Sequence, residues 1–579
     1  MPFDADDIVL SLQSAIDRFI RRLRRGGPPE ISGPRLLIIQ IDGLSRKILD
    51  RALAAGYTPF LKSLLRQHGY RLEPMSVGLP TSTPAFQMAS MYGVRPDIPG
   101  FHYFDRERQT DIHFPRAGHA AYVEKKQSAG RRGILHGGSA YGCIFTGGAE
   151  NNLFTFTSLT RPSGRGIMAA LSPFVVLAWV CAKSLFRTVV ELAKALPSLI
   201  NQRNPRQGRR WLAIKIVFSV WLRGFFTMAV CRDLYAGVPA IYVNYIDYDE
   251  TAHNFGPQSR AALLSLRRVD RAIRQLWRVT RRVPEHRYQL YVLSDHGQAP
   301  CASYQDLSGG RRFEKWIFEE FIHPERESRP DGRSGLAQGI RGRRRGATGL
   351  FQQFLNYIDE EFLRRNDPEA YQQDGIRVIS AGPNALLYVL GTTTALSFEA
   401  VERRLPRLAE KLSESPGVGF VLARSAGGPV CFWRGKAFRL SEDGGPFKER
   451  ADASLVVQAI ADLMAMPSAG DLVIYGIDAP RGHVSFIPEM GTHAGPSPDE
   501  MQTFVLHSEK IPFPSFITHP VELYEHFMRY RADAGPPQSF GGSTSGRSEE
   551  QRAGHQRSDV RSQSSEVRNQ ILAPSSQRA

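Results

Sequence analysis

The stretch Leu36-Leu37-Ile38-Ile39-Gln40-Ile41, followed at once by Asp42-Gly43, decides the fold. A short, nearly unbroken apolar run ending in a polar turn marks a strand buried on both faces, as in a parallel sheet. Two further runs have the same form, Ala240-Ile241-Tyr242-Val243-Asn244-Tyr245 and Tyr288-Gln289-Leu290-Tyr291-Val292-Leu293. Helical patterns lie between and after them, at 58–67, 259–279 and 455–464. This alternation predicts an α/β fold with a mostly parallel central sheet flanked by helices.

Outward from these strands the chain carries several additions. Residues 1–32 hold an amphipathic pattern, with Ile8, Leu12, Ile16, Phe19, Ile20 and Leu23 on one side of a helix. Acidic first and basic last, this segment is the reverse of a secretory signal, so a cytoplasmic location is expected. Within 160–235, two apolar stretches flank the basic linker 201–210 and are interrupted by Lys183, Arg187, Lys215 and Arg223. Those charges argue against two clean spans of about 30 Å of hydrocarbon. A hydrophobic helical hairpin is expected instead, lying in a membrane interface or packed on protein. Residues 324–375 read as a basic loop and helix, and 380–440 as a small α+β subdomain with a helix near 398–414. From 534 to 579 the chain is rich in Ser, Gln, Arg and Gly and is expected to be disordered.

The net charge of +17 favours polyanionic neighbours: phosphate-bearing substrates, an anionic membrane surface or nucleic acid. No basic-aromatic interleaving or known module accompanies the basic clusters, so specific nucleic-acid recognition is not expected. Five scattered cysteines without a C-x-x-C pair read as reduced thiols. The Gly-rich runs at 137–142 and 146–152 precede no Gly-Lys-Ser/Thr and are not phosphate loops.

Polar residues follow each buried strand. Asp42 ends the first; Asp249 and His253 follow the second; Asp295 and His296 follow the third. Ligands of open α/β sheets bind outside the carboxyl ends of the strands, so these residues can converge on one crevice. His493, in the Gly-flanked run Gly491-Thr492-His493-Ala494-Gly495, is a further candidate. Carboxylate oxygen and imidazole nitrogen together suit zinc. Asp249 and His253, four apart, share one face of a helical turn. Thr83 precedes Pro84, a residue favoured in the first helical turn. A hydroxyl there sits beside N–H groups that attract phosphate, and a metal can activate it as a nucleophile.

The set resembles the alkaline phosphatase superfamily, and within it the type I phosphodiesterase/nucleotide pyrophosphatase branch. The run His253-Asn254-Phe255-Gly256-Pro257 is especially similar to that branch. The resemblance implies an alkaline-phosphatase-like catalytic domain over 33–530 and two Zn2+. Asp249, His253 and His493 would hold one zinc; Asp42, Asp295, His296 and the Thr83 oxygen would hold the other. It implies attack by Thr83 on phosphorus, a phospho-threonine intermediate and hydrolysis, with a phosphoester small molecule or a lipid headgroup as substrate.

Two departures bear on specificity. Nucleotide-cleaving members tend to carry Pro-Asn-His after the nucleophile, where this chain has Ala85-Phe86-Gln87. They also place an Asn some two dozen residues on. Here the stretch is Gly100-Phe101-His102-Tyr103-Phe104-Asp105, in which His102 or Tyr103 is the substitute donor. A phosphodiesterase is therefore expected, with a phosphomonoesterase or phosphonate hydrolase of the same superfamily as alternatives. A catalytically silent membrane-surface adaptor is the reading from a different class, but such a descendant should have lost a ligand, and none is lost.

Overall fold

The computed structural model describes residues 33–153 apart from 115 and 129, together with 174–201, 212, 216–322 and 370–531. Seven strands form the central sheet: β1 (Arg35–Ile41), β2 (Tyr70–Ser76), β3 (Ser139–Tyr141), β4 (Asn151–Leu153), β5 (Ala240–Tyr245), β6 (Tyr288–Leu293) and β7 (Gln502–Ser508). Their order across the sheet is β2-β7-β6-β1-β5-β3-β4. β1 is central and parallel to both β5 and β6. β3 runs parallel to β5 and β4. Only β7 opposes its neighbours, pairing antiparallel with β6 and β2. The expected mostly parallel α/β architecture is the one the chain adopts.

The apolar strand runs follow from burial on both faces. Leu36 and Ile38 face one core, shared with Ala240, Tyr242, Tyr291 and Leu293. Leu37, Ile39 and Ile41 face the other, shared with Ile241, Val243, Leu290 and Val292. The helices Thr83–Tyr92 and Val521–Met528 cover the first face; Arg46–Ala54, Pro59–Gln67, Arg223–Ala236 and Arg260–Arg282 cover the second.

A second sheet is antiparallel throughout. It is larger than the small subdomain expected over 380–440. Its seven strands run in the order Ala370–Gln373, Ile376–Ala381, Asn384–Val389, Leu472–Tyr475, Phe420–Ala423, Val430–Trp433, Lys436–Arg439. The helix expected across 398–414 is two, Phe398–Arg404 and Leu408–Glu414. Pro406 separates them, since proline in a helix interior removes a donor and clashes with the preceding turn. Leu386, Tyr388, Phe420 and Tyr475 of this sheet belong to the same core as one face of the first sheet.

Of the apolar stretches in 160–235, the second joins the core: Phe226, Val230, Cys231 and Leu234 on the helix Arg223–Ala236 are buried against the sheet. The first forms the helix Phe174–Asn201. Among the described residues no helix is long and apolar enough to cross a membrane. The expectations for 1–32, for 534–579 and for most of 324–375 fall outside the described residues.

Candidate functional site

The parallel register of β5, β1 and β6 brings their carboxyl ends to one edge of the sheet. Asp42 leaves β1 there and is held by Asn244 at the end of β5, whose Nδ2 donates to Asp42 Oδ2 at 2.6 Å. The turn that follows is glycine by necessity. Gly43 has φ 71°, and a Cβ there would lie 2.3 Å from Asp249 Oδ1. Its N–H donates to Asp295 Oδ1 at 3.3 Å, and the Leu44 N–H donates to Ser294 Oγ at 2.9 Å. The ends of β1 and β6 are thus laced together.

Asp249 and His253 stand on the helix Asp247–Phe255, with His253 Nε2 3.3 Å from Asp249 Oδ2. His493 arrives from far downstream. Gly491–Thr492 pairs antiparallel with Ala299–Pro300, just beyond His296, so the His493 and His296 rings stack at 3.8 Å. Thr83 opens its helix behind Ser82, with Pro84 in the first turn. Its Oγ1 lies 3.4 Å from Asp42 Oδ1 and 3.3 Å from His296 Nε2. His296 Nε2 is 3.5 Å from both Asp42 Oδ1 and Asp295 Oδ2.

Six Asp and His residues and one threonine, spread from position 42 to 493, therefore meet at a single place. Among the described residues two sets offer ligand atoms within 4.8 Å of one another: Asp42, Asp295, His296, and Asp249, His296, His493. The grouping differs from the expected partition in one respect. His296 lies between the two sets, while His253 stands at the flank of the second, its ring 5.0 Å from that of His493.

The three imidazoles are oriented alike. Nδ1 of His253 is 2.8 Å from both Glu489 Oε2 and the Gly491 carbonyl oxygen. Nδ1 of His493 is 2.8 Å from the Thr81 carbonyl, and Nδ1 of His296 is 3.1 Å from that of Gly297. An acceptor opposite Nδ1 places the ring proton there and leaves the Nε2 lone pair free, the tautomer a metal requires.

The charges are crowded, and His253 differs from the other two imidazoles. Burial, reinforced by the Asp295 and Asp249 carboxylates, pushes the Asp42 carboxyl well above its ordinary range. Burial lifts Asp295 to about 7, and its Oδ2 is a buried oxygen without a hydrogen-bond partner. Asp249 is held low despite burial, because His253, His493 and His296 surround it. Burial would lower His253, but Asp249 and Glu489 outweigh it and raise the imidazole well above its ordinary value. Burial, then the neighbouring His493, lowers His296; burial lowers His493. Two buried carboxylates beside a partly buried third are costly unless positive charge compensates them. Carboxylates, imidazoles whose Nδ1 atoms face acceptors, and an orphaned oxygen together suit a divalent cation.

His102 and Tyr103 make their contacts with other parts of the chain. They lie on the hairpin His102–Asp105/Thr110–His113, where His102 Nε2 is 3.1 Å from Asp111 Oδ2 and Tyr103 is packed into the core. Gln87 is structural: its Nε2 donates to Gln40 Oε1 at 3.2 Å, and its Oε1 accepts from the Ile144 N–H at 2.8 Å. Two supporting residues escaped the sequence reading. Asn244 had a signal, as an amide inside an apolar strand; Glu489 had none beyond its closeness to His493.

A model of the type I phosphodiesterase/nucleotide pyrophosphatase family matches residues 185–345. That span contains Asp249, His253, Asp295 and His296, and leaves Asp42, Thr83 and His493 outside it. The resemblance read from the motifs is thus met by a family match over that part of the chain. No curated protein matches the sequence. Solved structures similar to the chain include phosphonoacetate hydrolase from Sinorhizobium meliloti 1021 in complexes with phosphonoformate and with phosphonoacetate. Both are 13% identical and cover 87% of this chain and 96% of theirs, with TM-scores of 0.44 and 0.42.

Proposed function

We propose that the chain is a metal-dependent hydrolase of phosphoester or phosphonate bonds, and that it cleaves phosphodiesters with Thr83 as nucleophile. The observation that carries this reading is the Thr83 hydroxyl, set at a buried helix start within 3.3–3.4 Å of His296 and Asp42. Residues 33–530 form the catalytic unit. Asp249, His253 and His493 would hold one zinc ion, and Asp42, Asp295, His296 and Thr83 the other. When bound, the pair supplies positive charge for the phosphoryl oxygens and lowers the pKa of a coordinated hydroxyl.

The chain's own groups do the rest. The Thr83 hydroxyl proton has an acceptor in Asp42 Oδ1, itself held by Asn244. Backbone N–H groups at the start of Thr83–Tyr92 face the incoming anion. Thr83 Oγ1 bonds to phosphorus as one ester oxygen leaves and takes up a proton, giving a phospho-threonine that still carries the second ester group, and water then releases the phosphomonoester and restores Thr83. The family match supports diester over monoester substrates. The run Ala85-Phe86-Gln87 and the absence of Asn from 100–105 leave nucleotides without the recognition residues expected of nucleotide-cleaving relatives. A small phosphodiester or a lipid headgroup is therefore the proposed substrate class.

Purified protein should contain about two zinc ions per chain by emission spectroscopy and hydrolyse an aryl phosphodiester faster than the aryl monoester. Thr83→Ala should abolish turnover and keep its metal. Normal hydrolysis by that variant would overturn the nucleophile assignment, and zinc-restored protein without activity on either ester would overturn the reading as a whole.

A further inference from the structure

The helix Phe174–Asn201 carries an apolar face that is uncovered among the described residues. Leu185 is 56% exposed, Phe186 70%, Val189 64% and Leu192 45%. Leu185, Val189 and Leu192 recur at helical spacing, so they form one stripe with Phe186 beside it. Among the described residues, four of the six exposed large apolar side chains stand on this one helix. The opposite side is fastened to protein. Val180 and Ser184 are buried, Trp221 Nε1 donates to Thr188 Oγ1 at 3.1 Å, and Glu191 pairs with Arg268 at 3.8 Å.

Charge identifies what this face meets. Positions 161–220 hold ten Lys and Arg against a single acid, Glu191, and that acid is turned inward to Arg268. An apolar helix face within so basic a stretch of sequence matches an anionic bilayer, where apolar insertion and attraction to headgroups add. A protein partner would need an acidic rim around an apolar centre; a bilayer presents both at every point. The place in the fold is also suggestive. Trp221 lies two residues before the start of the helix Arg223–Ala236, whose Arg223 pairs with Asp247, two residues past the end of β5 and two before Asp249. The uncovered helix thus stands at the edge of the sheet that holds the Asp and His cluster.

We propose that the face formed by Leu185, Phe186, Val189 and Leu192 docks the chain on an anionic phospholipid surface. The helix lies in the interface without crossing it. Docking itself is independent of the catalytic reading. If that reading holds, docking sets the site beside phosphodiester headgroups.

The test is flotation of the full chain with vesicles of phosphatidylcholine alone or mixed with phosphatidylserine. The wild type should float with the mixed vesicles, less so as salt rises. Phe186→Asp should reduce bound protein by roughly tenfold or more, and the milder Leu185→Ser/Val189→Ser pair should reduce it in the same direction. Both should hydrolyse a soluble aryl phosphodiester like the wild type. Absence of wild-type flotation with anionic vesicles, or unchanged flotation of both variants, overturns the proposal. So does a wild-type dimer that Phe186→Asp converts to monomer in gel filtration, since the face would then be covered by a second copy. Flotation reads docking alone, so a wild type that floats without hydrolysing any ester would overturn the catalytic reading and leave this one standing.

Discussion

At the scale of single residues, what separates His253 from His296 and His493 is its acceptor. The latter two give Nδ1 to backbone carbonyls, while His253 also faces the Glu489 carboxylate. Glu489 is itself fixed, its Oε1 accepting from Ser485 Oγ at 2.6 Å and from the Thr492 hydroxyl. A carboxylate behind an imidazole makes Nε2 a better donor to a metal, and loss of such a partner typically weakens affinity about 10–100-fold. Glu489→Gln should therefore lower the affinity of the weaker-held metal by about tenfold or more, measured by competition with a chromophoric chelator. Unchanged affinity would show that the carboxylate has no such role. Gly43 is constrained twice, by its positive φ and by Asp249 Oδ1. Gly43→Ala should cost about 1–3 kcal/mol in urea unfolding and should also reduce bound metal. Each of these residues has an innocuous reading in sequence, because an Asp-Gly turn and a lone Glu are common everywhere.

At the scale of elements, the helix Pro59–Gln67 begins without a side-chain cap of its own. Its first N–H groups are met instead by Asp270 on the helix Arg260–Arg282, at 2.9 Å from Phe60 N and 2.9 Å from Leu61 N. Burial pushes the Asp270 carboxyl up to about 6 from 3.8. A folded-state pKa above the unfolded value means that the folded chain binds more protons between the two, so this group's contribution to stability falls as pH rises through that window. In Asp270→Asn that slope should vanish. Relative to the variant, the wild type should lose up to about 3 kcal/mol between pH 3.8 and pH 6, read from urea unfolding at the two pH values. Equal slopes would mean that Asp270 is not raised. Elements of this kind are the part of the fold most legible in sequence. β5 and β6 have the bounds that their apolar runs announce, and β1 begins one residue earlier. Where elements departed from expectation the cause is local, as with Pro406 splitting one helix into two.

At the scale of the whole molecule, Thr81 ties the segment that leads into the helix Thr83–Tyr92 to the loop that carries His493. Its Oγ1 donates to the Gly495 carbonyl at 3.1 Å and accepts from the Ala494 N–H at 2.9 Å, across more than four hundred residues of chain. Tyr475 of the second sheet donates to the Ala494 carbonyl at 3.3 Å, so the His493 loop is held from both sides. Thr81→Val keeps the shape and strands two buried backbone groups. It should cost about 2–3 kcal/mol, with weaker metal binding as a second readout, and a change within the error of urea unfolding would show the link to be incidental. The sequence by itself determined the sheet and its direction, because strands buried on two faces must be apolar throughout and polar only at their ends. It also determined the candidates for the site, since Asp42, Asp249, His253, Asp295 and His296 follow those strands directly. Only the tertiary structure decided how they sit together, with His296 shared by the two groups of candidate ligands and His253 beside Glu489. It placed His102 and Tyr103 on a hairpin, enlarged the second sheet by drawing in Leu472–Tyr475, and left one apolar helix face uncovered among the described residues. Those outcomes rest on contacts between residues remote in the chain, and local apolar pattern carries no information about which remote partner a loop or a strand edge will meet.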